Sequence, residues 1–363
     1  MSDVLAPYMV WAKTRPVTEF DLAASNILAC SLDDVPGIRE SIELTAKNDE
    51  GYAPLASAIA ELYAVSPDRV VHAIGCSGAN FLVMGAHVRA GDEVLMERPG
   101  YDPMAGACRL LGASVRHFER RGADGFAVDV DAIRNALTPR TRLIIITSPH
   151  NPSGATLTRE TLLALNALST ETGVAVLVDE AYLDITRLLA NDPEQFPRAA
   201  SIGDRLISTS SLTKSYGLNG LRCGWAVVPD GVANRLRRVR DVVDGVGSAP
   251  VDRMATHAFT HLAALGARAR AHVHQNLAIV HEFLAAHPQL ELLVPADATI
   301  LFPRLAGTDD ASAFALRAAR DFGVTVAPGS FFDSPAHLRI SVAGNILNLA
   351  GGLARLDGAL HAQ

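Results

Sequence analysis

Lysine is almost missing from this chain. Among 363 residues it occurs only at Lys13, Lys47 and Lys214, so any reaction that needs a lysine amine has three candidates. Cysteine is scarce too. Cys30, Cys76, Cys108 and Cys223 are scattered without a CxxC pair, which argues against a zinc site or a disulfide framework and fits the reduced thiols of a cytoplasmic protein. No apolar run approaches the length that spans a bilayer. The N-terminus lacks the basic segment, apolar stretch and small-residue cleavage site of a signal peptide, so a cytoplasmic location and no membrane partner are expected. Positive charge is in deficit, with a formal net charge of −7. Arg235, Arg237, Arg238 and Arg240 cluster, but on one helical stretch of an acidic protein, where a solvated face explains them and a nucleic-acid partner is not expected. Neither GxxxxGKS/T nor GxGxxG is present, which removes the common nucleotide-binding loops.

What remains is an ordinary globular composition, 49% hydrophobic and 20% charged, in a chain long enough for one large and one smaller domain. Residues 1–20 read as an irregular arm, with Pro7 and Pro16 breaking any helix. Apolar spacing predicts a helix over 52–64. Strand-like and helix-like stretches then alternate: Val70–Ile74, a helix over 79–89, Glu93–Met96, a helix over 102–112, Arg142–Thr147, a helix over 158–171, Val174–Val178, Leu206–Thr209 and Gly224–Val228. Strands that are apolar without alternation, separated by helices, predict a mainly parallel sheet of seven-stranded type in an α/β/α sandwich. After about residue 250 the pattern changes to a long helical stretch over 251–286, short strands near 291–294, 299–303, 324–327 and 337–342, and a helix over 345–360. The expected division is an arm with part of a small domain over 1–47, a large domain over 48–250, and a connecting helix with a small α+β domain over 251–363.

In open parallel sheets, ligands bind beyond the carboxyl ends of the strands. Four loops there carry compatible polar residues. They are Gly75-Cys76-Ser77-Gly78-Ala79-Asn80, the turn Asn151-Pro152-Ser153-Gly154, Asp179-Glu180-Ala181-Tyr182, and Ser211-Leu212-Thr213-Lys214 running on to Arg222. Together they suit pyridoxal 5′-phosphate. Its phosphate favours a helix N-terminus with small residues, here Ser77, Gly78, Ala79 and Asn80, with Arg222 and Ser211 as further donors. Its ring nitrogen stays protonated beside a carboxylate, here Asp179. Asn151 and Tyr182 can donate to the phenolate oxygen. Lys214 is the only lysine in such a loop, and its amine would form the imine and move the proton.

With their spacing, these residues resemble the class I/II aminotransferases of fold type I. The matching segments are NDEGYAPLASAIAELY (48–63), CSGANFL, GDEVLMERPGYDP (91–103), HNPSG, VDEAY, SLTKSYGLNGLRCGW, GVTVAPGSFF (323–332) and LRISVAG (338–344). The resemblance implies that Tyr101 stacks on the ring and that Arg339, with Asn151, holds the substrate α-carboxylate. It also implies that Tyr52 reaches the phosphate of a neighbouring subunit, which makes the active form a homodimer with shared sites. The implied reaction moves an amino group between an amino acid and a 2-keto acid. A C–S β-lyase, or a cofactor-binding regulator, could use the same fold.

The chain departs from the pattern in places. His150 stands where the family more often has asparagine or an aromatic residue. FDLAASNIL (20–28) matches only loosely, so Ala24, Ser25 and Asn26 have no assigned role. Asp244 falls near where dicarboxylate-specific relatives place a second arginine, which predicts no preference for aspartate or glutamate; capping or solvent exposure explains it equally well. Taken singly, most of these residues also have structural explanations, such as turn, cap or packing; it is their joint order that points to a cofactor site. His257 and His261 share a helix face, but with no third ligand a solvated or interhelical role is expected for them, as for His272 and His274, and no metal is expected.

Overall fold

The computed structural model describes residues 5–294 and 298–362. The chain opens with helix α1 (Pro7–Thr14), strand β1 (Phe20–Asp21) and helix α2 (Ala53–Tyr63). An irregular arm was expected here, and α1 is a correction. Pro7 occupies the first turn, where a missing N–H costs nothing, and Pro16 lies just beyond the end. Proline starts this helix and bounds it.

Alternation follows as β2 (Val70–Ile74), α3 (Gly75–His87), β3 (Glu93–Arg98), α4 (Asp102–Leu110), β4 (Ser114–Glu119), α5 (Val130–Ala136), β5 (Thr141–Thr147) and α6 (Arg159–Thr172). It continues through β6 (Ala175–Asp179), α7 (Leu183–Leu189), α8 (Ala199–Ile202), β7 (Leu206–Ser211), α9 (Thr213–Tyr216) and β8 (Cys223–Val227). The seven strands from β2 to β8 form one sheet in the order β2-β8-β7-β6-β5-β3-β4. Only β8 runs against its neighbours. The other pairings are parallel.

Unbroken apolar strands follow from two covered faces. Leu143, Ile145, Leu177 and Ile207 point to one side, against Leu82 and Val83 of α3 and Met104 of α4. Ile144, Ile146, Val176 and Val178 point to the other, against Leu162, Leu165 and Leu168 of α6. The strands therefore read as continuous runs rather than alternations.

The tail begins with α10 (Ala233–Val243), α11 (Ala249–Phe259) and α12 (Leu262–Ala286). The single stretch expected over 251–286 is thus two helices. At the break, the Thr260 hydroxyl donates to the carbonyl of His257 and lies 2.9 Å from His261 Nδ1, local bonds that compete with the backbone ladder. Short strands follow, β9 (Leu290–Glu291), β10 (Ile300–Leu301), β11 (Arg304–Leu305), β12 (Val324–Thr325), β13 (Ala327–Pro328) and β14 (Leu338–Ser341), with α13 (Ser312–Phe322) among them and α14 (Ile346–His361) at the end. β1 pairs with β12, so the N-terminal arm joins the tail. Among the described residues no helix is long and apolar enough to cross a membrane.

One buried ion pair fixes the loops around the sheet's carboxyl edge. Glu97 in β3 lies 2.7 Å from Arg120, both almost fully buried. Glu97 also accepts from the backbone N–H of Thr147 at the end of β5 (2.8 Å), and Arg120 donates to the carbonyl of Phe126 (2.6 Å). Removing one partner strands the other charge in the core. Glu97→Ala should therefore cost about 3–5 kcal/mol of unfolding free energy by chemical denaturation; a loss under about 1 kcal/mol would show that the pair does not hold this edge.

Candidate functional site

A cavity of about 450 Å³ opens where β5, β6 and β7 end, lined by Lys214, Asp179, Asn151, Tyr101, Tyr182, Ser211, Ser77 and Arg222. Most residues singled out from the sequence thus converge on one space. Lys214 sits in the single turn α9, directly after β7. Its Nζ donates to Ser25 Oγ (2.9 Å) and Asn26 Oδ1 (2.7 Å), which gives the loosely matching arm a definite contact. Burial, with the nearby Arg339 charge, pulls the Lys214 amine down to about 8.

Asp179 closes β6 and is buried. Its Oδ2 accepts from the Asn80 amide (2.7 Å), and its Oδ1 from the backbone N–H of Ala181 (2.9 Å). Burial pushes this carboxyl above its usual range, while the Asn80 and Ala181 bonds pull it back. Among the described residues no cation forms an ion pair with it. Asn80 accepts in turn from the hydroxyl of Thr209. Asn80 therefore faces the carboxylate, away from the phosphate end where the sequence placed it.

Helix α3 begins four residues before the predicted start at 79, at Gly75. Its open N–H groups therefore belong to Cys76 and Ser77, both at the cavity. Gly78 and Ala79 do not line it; Ala79 is fully buried in the core. Two left-handed residues shape this corner, Gly75 (φ +67°) and Arg222 (φ +52°). The Gly75 N–H donates to the Arg222 carbonyl (2.7 Å), and a Cβ at Gly75 would come within 2.4 Å of the Arg222 guanidinium. A side chain there would be strained by the left-handed backbone and would push the guanidinium aside. Thr213, which carried no role in the sequence, also lines the cavity, and its buried hydroxyl has no hydrogen-bond partner among the described residues.

At the opposite end Arg339 is buried in β14. It donates to Asn151 Oδ1 (2.9 Å), to the Ala23 carbonyl (3.0 Å) and to the Tyr8 hydroxyl. It lies behind Asn151 and Tyr8, which themselves line the cavity. Tyr8 belongs to α1, and with it Met9, Ala12, Lys13 and Arg15 cover the mouth. Asp102 beside Tyr101 accepts from the Tyr8 N–H (2.8 Å), capping α1 from outside; burial raises this carboxyl to about 6. The sequence signal for this helix was proline at a helical first position, which reads as a start as readily as a break.

Three residues stand elsewhere. Tyr52 caps α2 away from this chain's cavity, under the Arg253 guanidinium at 3.5 Å. Asp244 follows α10 in a separate cavity of about 160 Å³ with His72, Arg222 and Arg240. His150 is fully buried. Its Nε2 lies 2.9 Å from the Pro99 carbonyl and its Nδ1 2.6 Å from Ser153 Oγ, tying the loop that carries Tyr101 to the turn that carries Asn151. Burial and the Arg120 charge keep this imidazole neutral.

Residues 45–355 match the model of the family "Aminotransferase class I and II". The chain belongs to this family. It is accordingly a pyridoxal-phosphate enzyme, and the chemistry of its family is transamination. This aminotransferase is 33% identical to capreomycidine synthase of Streptomyces vinaceus over 333 residues, covering 90% of this chain and 85% of that one. It is 32% identical over 319 residues to the probable N-succinyldiaminopimelate aminotransferase DapC of Mycobacterium tuberculosis, covering 82% and 77%. The structure of a PLP-dependent aminotransferase from Streptococcus suis superposes with a TM-score of 0.91 at 25% identity, over 99% of this chain and 98% of that one.

The lowered Lys214 gives this aminotransferase a pH signature. An amine attacks an aldehyde only when unprotonated, and Lys214 loses its proton near pH 8 rather than at its ordinary 10.5. Capture of pyridoxal phosphate by the cofactor-free protein, followed by stopped-flow absorbance, should speed up as pH rises and level off above about 8. A rate still climbing through pH 10 would show that Lys214 is not desolvated.

Proposed function

We propose that this cavity binds pyridoxal 5′-phosphate against Lys214 and moves an amino group between an L-amino acid and a 2-keto acid. The observation that carries this reading is that a buried carboxylate, Asp179, and a buried amine, Lys214, line one cavity together with the Arg222 guanidinium, while Arg339 lies behind the lining residues Asn151 and Tyr8. The donor set fits the cofactor. Asp179 is a buried carboxylate short of positive charge, the complement of a protonated ring nitrogen. Arg222, Ser211, Thr213 and the N–H groups of Cys76 and Ser77 suit a phosphate. Tyr101 offers a ring face, and Asn151 and Tyr182 offer donors to the phenolate oxygen. Asn80 acts through Asp179, as a positioning residue.

When bound, the cofactor supplies an aldehyde that captures amines and a ring that withdraws electrons from a substrate's α-carbon. The protein does the rest. Arg339 orients the substrate through its α-carboxylate, with Asn151 beside it. Lys214 Nζ would take the α-proton and return it across the nitrogen, to the carbon that carried the aldehyde, which its lowered pKa of about 8 suits. Helix α1 covers the mouth and excludes water. We read residues 48–250 as the cofactor-binding domain, and 251–363 with the arm 1–47 as the part that closes on the substrate. Tyr52 and Asp244 lie outside this chain's own cavity, which supports a homodimer in which they face the partner's site. A cytoplasmic enzyme is the matching location.

A second reading, lyase or synthase chemistry on the same residues, is favoured by one observation: a relative named a synthase matches nine-tenths of the chain. Spectroscopy separates the two. In transamination, one amino acid bleaches the yellow holoenzyme and a keto acid restores it. In the second reading, product forms without any keto acid. Aspartate and glutamate should be poor donors; aspartate far ahead of all other amino acids would refute the reading of Asp244.

Tyr8 gives a kinetic test. A bidentate carboxylate needs two adjacent N–H groups of Arg339, and Nη2 is already committed to Tyr8 and Ala23. The substrate must displace the phenol. Tyr8→Phe should therefore lower KM for the amino donor by a factor of about two to ten, the worth of about 0.5–1.5 kcal/mol, with kcat little changed. A raised KM would mean that the hydroxyl helps to hold the substrate.

A further inference from the structure

We propose that His287, Asp357 and His361 form a binding site for a divalent transition metal of borderline softness, such as zinc, nickel or cobalt, clasping the end of α14 to the end of α12. None of the three lines the active cavity. Their ligand atoms all lie within 4.8 Å of one another.

His287 caps α12 and is buried, its ring stacked on Phe283 at 4.2 Å. Its Nδ1 lies 2.7 Å from the Phe283 carbonyl. A carbonyl only accepts, so Nδ1 carries the proton and a neutral ring keeps its lone pair on Nε2. A carbonyl on the far nitrogen is how metal-binding imidazoles are commonly oriented. That Nε2 points at Asp357 Oδ1, 2.7 Å away. Lone pair would then face lone pair, so a positive charge belongs between them: a second proton, or a metal.

The third ligand favours the metal. His361 lies one turn after Asp357 on the same face of α14, with Nδ1 3.3 Å from the same carboxylate oxygen. It also lies 2.9 Å from the Asp357 carbonyl, a bond it would exchange for the metal. Tetrahedral ligands at zinc distances stand about 3.4 Å apart, so the 2.7 Å gap must open and the widest one close, which exposed side chains on a helix can do. Two imidazoles and one carboxylate select zinc, nickel or cobalt over calcium or magnesium. Three protein ligands leave a position for water.

The histidine pair more visible in the sequence is otherwise engaged. His257 Nε2 lies 2.7 Å from the Pro36 carbonyl and His261 Nδ1 2.9 Å from Thr260 Oγ1.

Calorimetric titration of the full-length, cofactor-loaded protein with zinc chloride tests the site, in a buffer free of phosphate. One zinc per chain should bind with a dissociation constant below about 0.1 mM. His361→Ala, an exposed change that spares the fold, should weaken binding at least about tenfold, and Asp357→Asn with His361→Ala should abolish it. Zinc should raise Tm in the parent protein alone. No binding at millimolar zinc, or an unchanged titration in the double variant, would overturn the proposal.

Discussion

The site is organised around one carboxylate. Asp179 is buried at the end of a central strand with no ion-paired cation among the described residues, and an isolated charge in such a place is costly. The chain meets that cost with three neutral donors, the Asn80 amide, the Ala181 N–H and the Cys76 thiol. Two of them belong to α3, and Asn80 is itself held by Thr209 of β7. Three elements are therefore locked together through one side chain. The N-terminus of α3, with Ser77 and Cys76 at the cavity, cannot shift without stripping Asp179 of partners. Where this corner of the cavity stands is thus set by how the carboxylate is satisfied.

The opposite charges are linked in the same way. Arg339 and Arg222 are both close enough to Lys214 to depress its pKa, after burial. Groups that attract anions to the cavity thus also make its amine easier to deprotonate, at about pH 8 rather than at its ordinary 10.5. Placement of Arg339 depends on the N-terminal helix, because Tyr8 supplies one of its partners and the Tyr8 N–H is capped by Asp102. Gly106 permits this docking: a Cβ there would come within 2.2 Å of the Leu5 carbonyl. The helix over the mouth and the arginine behind it form one packed unit.

The sequence was most legible where burial is symmetric. The runs RLIIIT and VAVLV are strands because both faces are covered, and the loops after them carry Asn151 and Asp179 for the reason that ligands gather at that edge. It was least legible where a residue's role depends on a distant partner. Asn80 reads as part of a helix start, and only Asp179, 99 positions away, turns it into a carboxylate holder. Pro7 reads as a breaker until Asp102 is seen capping the helix that it opens. Thr260 and His261 look helical, but their side chains bond locally and divide the stretch in two. In the tail, strands of two residues leave no periodicity to read, because the register is set by neighbours rather than by alternation.

Charge decides what this cavity will accept. Its lining brings the cations Lys13, Arg15, Lys214 and Arg222 against one carboxylate, Asp179. Arg15 is already paired with Asp21 at 2.6 Å, and Lys214 is largely neutral above pH 8. What remains is Arg222 at one end, Arg339 behind the other, and Lys13 on the covering helix, where no ion pair holds it among the described residues. A neutral ligand would leave these charges unpaired in a space of lowered dielectric, which is unfavourable. A ligand that brings an anionic group to each of Arg222 and Arg339 would pair them instead.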